Sequence, residues 1–134
     1  MDWNKYRPWI IATGGVDRAV NVWDCRMLAA GTAATVGAGP ANPTVPRLDA
    51  PPLLGHEYAV RRVAWSPHRA DVLASASYDM TARVWQVGQG NAPGALRMIH
   101  DQHTEFVAGC AWSLFEENVL ATCAWDGRIH VFGV

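Results

Sequence analysis

The chain has 134 residues, a length that suits one modest domain, and half of them are hydrophobic, which is enough for a buried core. A net charge of −1 with neutral histidines argues against the basic surface that nucleic-acid or anionic-membrane binding requires. No apolar run approaches the roughly 18–20 residues of a membrane span. The first residues, MDWNKYRPW, lack the basic-then-apolar order of a signal peptide, so none is expected there.

Three segments of the chain follow one pattern. They are "ATGGVDRAVNVWD" from Ala12, "ASASYDMTARVWQ" from Ala74 and "ATCAWDGRIHVFG" from Ala121. Each begins with Ala and a small residue that carries a hydroxyl, has an Asp five positions after that Ala, and has an aromatic residue six positions after the Asp. An internal repeat of this kind indicates one supersecondary unit written several times.

In chain order, the repeats divide the sequence into five segments. Residues 1–26 form a partial repeat, in which residues 2–4 align with residues 64–66 of the next one. Residues 27–52 are an insertion rich in Ala, Gly and Pro, which composition predicts to be disordered. Residues 53–87 form a full repeat, residues 88–102 an inter-repeat loop with an outer strand, and residues 103–134 the last repeat. Short β-rich runs such as "VLASAS" and "TARVWQV", separated by turn residues, predict three or four short strands per repeat and no helix.

The cysteines are Cys25, Cys110 and Cys123. An odd count without a CxxC spacing argues against a disulfide framework or a zinc site and favours free thiols in a reducing compartment. Cys110 and Cys123 fall in strand-like runs, where we expect them to be buried. Neither a metal ion nor a cofactor is expected.

Gly55-His56, Asp79 and Trp85 together resemble the WD-repeat signature at blade length. This resemblance implies an all-β fold, a WD-repeat β-propeller of which the chain supplies about two and a half to three blades. Propellers have about four to eight blades, so we expect the chain to be a C-terminal fragment of a seven-blade ring.

The WD-repeat resemblance also implies a buried chain of hydrogen bonds in each blade. Its members are His56, Ser75, Asp79 and Trp85 in the second repeat, His103, Thr122 and Asp126 in the third, and Thr13, Asp17 and Trp23 in the first. Phe132 replaces the Trp of the third repeat and has no N–H to donate. A His, an Asp and a Ser resemble a catalytic triad, but a catalytic set occurs once per site, whereas this set recurs in every repeat. We therefore expect a structural network, no catalytic residues and no enzyme.

The segments "LLGHEYAVRRVAWSPHRADVLASASYDMTARVW" and "HTEFVAGCAWSLF" resemble the last two repeats of the receptors for the type-2 peroxisomal targeting signal. The segments "DWNKYR" and "ATGGVDRAVNVWD" resemble the repeat before them. The resemblance implies a receptor that binds an N-terminal nonapeptide, Arg/Lys-Leu/Val/Ile-x5-His/Gln-Leu/Ala, on cargo proteins. It also implies a co-receptor and peroxisomal docking proteins as partners, and a location in the cytoplasm with shuttling to the peroxisome matrix. The alternative is a generic WD-repeat scaffold or adaptor subunit.

Ligand-facing positions in WD blades lie just after the Gly-His pair and just before the turn Asp. The residues expected there to bind the peptide are Glu57, Tyr58, Arg61, Tyr78, Glu105, Phe106 and Trp125. Tyr78 and Trp125 could instead pack on a neighbouring blade, and the two glutamates could be solvated loop charges. Arg61 could form an ion pair between blades.

Overall fold

The computed structural model describes residues 1–26, 47–88 and 92–134. These residues form eleven strands in three antiparallel sheets, one sheet per repeat. Blade one contains β1 (Asp2–Trp3), β2 (Ile10–Gly14), β3 (Val20–Asp24) and β4 (Arg47–Leu48). Blade two contains β5 (Val60–Trp65), β6 (Val72–Ser77), β7 (Ala82–Gln86) and β8 (Ala95–His100). Blade three contains β9 (Val107–Trp112), β10 (Val119–Ala124) and β11 (Ile129–Gly133). The all-β, WD-repeat architecture predicted from the repeats is confirmed.

The three blades share one register between their first two strands. Trp3 lies opposite Ile11, just as Trp65 lies opposite Leu73 in blade two. The residue after each strand-end Trp turns the chain with its side-chain oxygen. Asn4 Oδ1 accepts hydrogen bonds at 2.9 Å from the backbone N–H groups two and three residues further along the chain. Ser66 Oγ accepts the two corresponding bonds at 3.2 Å. The alignment of residues 2–4 with residues 64–66 is therefore present in the fold.

The hydrophobic core lies between the blades. One buried cluster joins blades one and two, and a second joins blades two and three through Ala74 and Val84 on one side and Val107 and Leu120 on the other. Successive residues of a strand point to opposite faces, so the strands of blade two, which lies between the other two blades, contribute to both clusters. Gly14 marks a close approach of blades one and two, because a Cβ there would lie 2.5 Å from Cγ1 of Val60.

Hydrogen bonds between blades supplement the apolar contacts. Asp2 Oδ2 accepts from the backbone N–H of Trp65 at 2.8 Å, and Asn4 Nδ2 donates to the carbonyl of Ala70 at 2.8 Å. Between blades two and three, Trp112 Nε1 donates to the carbonyl of Ala64 at 2.9 Å. Because each bond joins elements of successive repeats, these contacts hold neighbouring sheets in a fixed relative position.

The insertion predicted to be disordered over residues 27–52 extends too far toward its C-terminal end. Arg47–Leu48 forms β4, which pairs with β3 as the outer strand of blade one. Ala50 is buried, and Leu53 exchanges backbone hydrogen bonds with Val20 at 2.9 and 3.1 Å. Backbone pairing with β3 orders these residues, and composition gives no signal of it. Residues 27–46 lie outside the described residues.

The expectation that both strand cysteines are buried is correct for Cys110 and wrong for Cys123, which is exposed. Cys123 lies on the face of blade three that corresponds to the Ala76 face of blade two. In blade two that face packs on the next blade, whereas no described residue covers it in blade three. Burial raises the pKa of the Cys110 thiol to about 12, so it stays protonated.

Candidate functional site

Blade two contains the full hydrogen-bond chain, inside the sheet. His56 Nδ1 lies 2.7 Å from Asp79 Oδ2, and His56 Nε2 lies 2.7 Å from Ser75 Oγ. An ionised carboxylate only accepts, so Nδ1 carries the ring proton and Nε2 accepts from the Ser75 hydroxyl. Trp85 Nε1 completes the chain by donating to Ser75 Oγ at 2.8 Å. Every polar atom of the chain therefore has a partner, as burial requires.

Asp79 is the acceptor at the end of this chain. Burial alone would raise the pKa of its carboxyl group, but hydrogen bonds from His56 and Thr81 outweigh burial and hold the pKa well below its usual range. Thr81 contributes both its hydroxyl, at 2.7 Å, and its backbone N–H, at 3.0 Å. The carboxylate thus fixes the turn between β6 and β7 as an anion.

Blade three repeats this chain only in part. His103 Nδ1 lies 2.9 Å from Asp126 Oδ2, and His103 Nε2 lies 3.0 Å from Thr122 Oγ1. Burial opposes the ionised form of Asp126, yet the hydrogen bond from His103 and two backbone N–H groups lower its pKa to about 2. Phe132 occupies the Trp85 position and donates nothing, so the chain ends at Thr122.

Blade one retains only the lower part of the chain. Trp23 Nε1 donates to Thr13 Oγ1 at 2.8 Å, as Trp85 does to Ser75. Asp17 accepts a weak bond from the backbone N–H of Ala19 at 3.4 Å. No described histidine reaches Asp17, so the first repeat lacks the imidazole link.

These geometries describe a staple within each blade. The hydroxyl of Ser75 is buried and bonded on two sides, so it is not presented to a substrate as an activated nucleophile would be. Thr122 is buried in the same place in blade three. In blades two and three, the arrangement ties the His loop, the middle strand and the turn together.

Three of the residues expected to bind peptide form a cluster across the boundary of blades two and three. We call Tyr78, Phe106 and Trp125 the aromatic rim. The ring centroids of Tyr78 and Phe106 lie 5.0 Å apart, those of Phe106 and Trp125 5.4 Å, and those of Tyr78 and Trp125 6.2 Å. Trp125 is 66% exposed and Phe106 36%, so the cluster presents apolar area to solvent.

Local structure explains how the aromatic rim forms. Tyr78 and Trp125 both precede a turn Asp, and their backbone N–H groups donate to the carbonyls of Ala59 and Phe106. These bonds hold the loop after each buried His beside the turn of the same blade. Tyr78 leans on Phe106 of the next blade, so the packing alternative describes it in part, whereas Trp125 remains open.

The other predicted positions make no ring contact with the aromatic rim. Glu57, Tyr58, Arg61 and Glu105 are all exposed. Arg61 forms no ion pair with a described acidic residue, so the described part of the chain does not show the inter-blade salt bridge considered above. It lines an open cavity of ≈ 370 Å³ together with Arg62 and with residues of blade three such as Ala108.

One group of polar residues escaped the sequence analysis. His100 and His130 lie beside His103 of the blade-three chain. The available signal was the spacing of three between His100 and His103, together with a His two positions before Phe132. Neither residue belongs to the repeat, and so the repeat pattern passes over both of them.

The geometry of stapled four-strand blades agrees with comparison to known families. A model of the WD domain, G-beta repeat, matches residues 1–24, 51–86 and 94–132. The chain therefore belongs to the WD-repeat family.

Relatives within this family carry two kinds of name. The chain is 39% identical over 150 residues to the peroxisomal targeting signal 2 receptor of Saccharomyces cerevisiae, which covers 98% of this chain and 39% of that protein. It is 45% identical over 80 residues to the receptor of the same name from Mus musculus, covering 60% of this chain and 24% of that protein. It is also 32% identical over 132 residues to coronin-7 of Pongo abelii, covering 98% of this chain and 12% of that protein. The chain thus spans less than half the length of each of these relatives.

Among the described residues, no helix has the length and hydropathy needed to cross a membrane.

Proposed function

We propose that the chain is part of a receptor for the N-terminal type-2 peroxisomal targeting signal. The observation that carries the proposal is the aromatic rim, an exposed apolar cluster built by two adjacent blades of a WD-repeat fold. Exposed aromatic clusters of this kind form binding hot spots. The similarity to proteins named peroxisomal targeting signal 2 receptor supports the assignment of the ligand.

The chemistry around the aromatic rim suits the signal peptide. An amphipathic peptide helix presents apolar side chains at helical spacing, which would lie against Phe106 and Trp125. Its leading Arg or Lys would meet Glu57 or Glu105, both exposed and acidic. Ion pairs at such exposed sites contribute little affinity, so they serve mainly orientation, while the aromatic contacts supply most of the binding free energy.

In the cell, this function places the protein in a cycle between cytoplasm and peroxisome. Cargo proteins that carry the type-2 signal, a co-receptor and peroxisomal docking proteins are its proposed partners. The protein would bind cargo in the cytoplasm and shuttle with it to the peroxisome matrix.

Fluorescence anisotropy of a labelled type-2 signal peptide tests the proposal. The peptide is titrated with this chain and with this chain joined to the rest of the Saccharomyces cerevisiae relative. We expect the joined form to bind the peptide and not a peptide in which the leading Arg and the His are replaced. Absence of binding by a well-folded joined form would contradict the proposal.

Variants of the joined form locate the site. Trp125→Ala and Phe106→Ala should each weaken binding at least 10-fold, because truncation of a hot-spot aromatic typically raises the dissociation constant by that much. Phe115→Ala is the matched control, since Phe115 is an aromatic residue that is 95% exposed and lies in the β9–β10 connection. Equal effects of Phe106→Ala and Phe115→Ala would exclude the aromatic rim as the binding surface.

A generic WD-repeat scaffold is the second candidate, favoured by the similarity to coronin-7 over nearly all of the chain. It predicts a folded joined form that ignores the signal peptide. The same titration therefore separates the two functions.

A further inference from the structure

Three imidazoles converge where blade two meets blade three. His100 ends β8, His103 follows it by three residues, and His130 lies in β11. One nitrogen of each ring lies within 4.8 Å of those of the other two. His100 Nε2 and His130 Nδ1 are the closest pair, 2.9 Å apart. We call these three residues the histidine cluster.

Stacking holds the rings of the histidine cluster in place. His130 stacks on His103 with centroids 4.1 Å apart and planes within 10°. His100 stacks on Phe132 with centroids 4.0 Å apart and planes within 14°. Phe132, which stands in place of the Trp donor of blade three, therefore also packs against the histidine cluster through His100.

The histidine cluster is not part of the repeated staple. The positions in blade two that correspond to His100 and His130 are Leu53 and Arg83. A structural role common to all blades would place the same residue types in each one. Among the described residues, the cluster occurs once, between β8 of blade two and β11 of blade three, which is the pattern of a site and not of a blade element.

His103 has the hydrogen bond to a carboxylate that commonly orients a metal-binding histidine. Its Nδ1–H donates to the carboxylate of Asp126, a bond that fixes the tautomer and leaves Nε2 unprotonated, with a lone pair. The lone pair accepts a hydrogen bond from the Thr122 hydroxyl at 3.0 Å. In blade two, the indole N–H of Trp85 orients the corresponding hydroxyl of Ser75. Phe132 offers no such donor to Thr122. The Thr122 hydroxyl can therefore rotate away from His103 Nε2 at the cost of one hydrogen bond.

The other two histidines are suited to ligation as well. His100 Nε2 and His130 Nδ1 already face each other at 2.9 Å. A neutral imidazole is the form that binds metal ions. One of the two facing nitrogens, His100 Nε2 or His130 Nδ1, carries the hydrogen of the bond between them. For both nitrogens to bind a metal ion, that hydrogen has to move to the other nitrogen of the same ring, which is a change of tautomer and releases no proton.

We propose that His100, His103 and His130 form a binding site for a divalent transition-metal ion of the zinc class. Three imidazole nitrogens suit Zn²⁺, Cu²⁺ or Ni²⁺, and a tetrahedral zinc ion with Zn–N bonds near 2.0–2.1 Å places its ligands roughly 3.3 Å apart. The three nitrogens already lie within 4.8 Å of one another, and the His130 ring has to tilt out of its stack on His103 for both lone pairs to face one ion. His100 and His130 are only half-buried, so an ion reaches the site from solvent, and a water molecule takes the fourth position.

Titration of the whole chain, free of any histidine tag, tests the site. Zn²⁺ is added in a calorimeter and Co²⁺ in a spectrophotometer, where a tetrahedral cobalt ion gives visible d–d bands. We expect one equivalent of Zn²⁺ to bind and to displace the cobalt signal. The His130→Phe variant keeps a ring to stack on His103 but removes a ligand, and it should raise the zinc dissociation constant at least 10-fold.

The control variant is His68→Gln. His68 lies away from the cluster and donates to the carbonyl of Ser113, so its loss should leave zinc affinity unchanged. Near-ultraviolet circular dichroism shows whether each variant keeps its packing. A second variant, His100→Leu, repeats the test from the other half-buried ligand. The proposal is overturned by a folded wild-type chain that gives no cobalt bands, or by equal zinc binding in wild type, His130→Phe and His100→Leu.

Discussion

Blades two and three have the same strand spacing and the same turn, yet their interiors differ at one aromatic position. In blade two, Trp85 donates to Ser75, so four side chains form one continuous hydrogen-bond chain. In blade three, Phe132 leaves Thr122 without that donor, and two further histidines gather next to it. The comparison teaches that the backbone of a WD blade tolerates an incomplete staple and that the position released from the staple can acquire other chemistry.

Removal of the central imidazole should separate the two blades most strongly. His56→Ala deprives both Asp79 and Ser75 of a buried partner, and we expect the free energy of unfolding to fall by about 3 kcal/mol. His103→Ala should produce a smaller loss, because the two hydrogen bonds of His103 are longer, 2.9 and 3.0 Å against 2.7 Å for each bond of His56.

Urea unfolding followed by circular dichroism measures this difference. Phe115→Ala controls for a general effect of substitution, since its side chain is almost fully exposed. Equal losses in His56→Ala and His103→Ala would show that the shorter bonds of His56 add no stability over those of His103.

Exchange of the two aromatic residues tests the comparison directly. Trp85→Phe leaves Ser75 without its indole donor and should reduce stability by about 1–2 kcal/mol. Phe132→Trp provides Thr122 with a donor and removes the surface on which His100 stacks. We expect a gain of about 0.5 kcal/mol at most, since the new hydrogen bond is offset by the displaced ring.

The same exchange connects the staple to the histidine cluster. An indole that donates to Thr122 fixes its hydroxyl toward His103 Nε2, so Phe132→Trp should also weaken zinc binding. Calorimetric titration of Zn²⁺ into both exchange variants measures this effect, with Trp85→Phe as the control that should bind zinc like wild type. Unchanged zinc affinity in folded Phe132→Trp would contradict the idea that Phe132 frees the site.

The staple could be predicted from the sequence because each of its members constrains the others. His56, Asp79 and Trp85 stand at fixed spacings that recur in the next repeat, and a buried carboxylate needs such partners. The contacts of the aromatic rim could be predicted only as positions. That Tyr78 touches Phe106 depends on how two blades twist against each other, which no local pattern encodes.

Two features depend on contacts between segments that no local sequence pattern fixes. The histidine cluster joins β8 of blade two to β11 of blade three, and only the packing of the blades brings His100 and His130 together. The outer strand β4 is two residues long, and its order comes from backbone pairing with β3 in place of side-chain pattern. Both are products of tertiary structure, which overrides composition at short segments.

The turn after each buried strand gives the smallest difference between the blades. Arg18, Met80 and Gly127 occupy the same turn position with φ of 65°, 65° and 74°, a left-handed conformation that favours glycine. Blade three satisfies this preference and the other two do not. Met80→Gly should therefore raise the free energy of unfolding by about 0.5 kcal/mol, because the relief of left-handed strain exceeds the entropy that a glycine adds to the unfolded chain.

Gly127→Ala should lower the free energy of unfolding by about 1 kcal/mol through backbone strain alone, since a Cβ there meets no atom within 4 Å. Thermal unfolding of the two variants measures both shifts, and a gain from Gly127→Ala would show that blade three does not depend on its glycine turn.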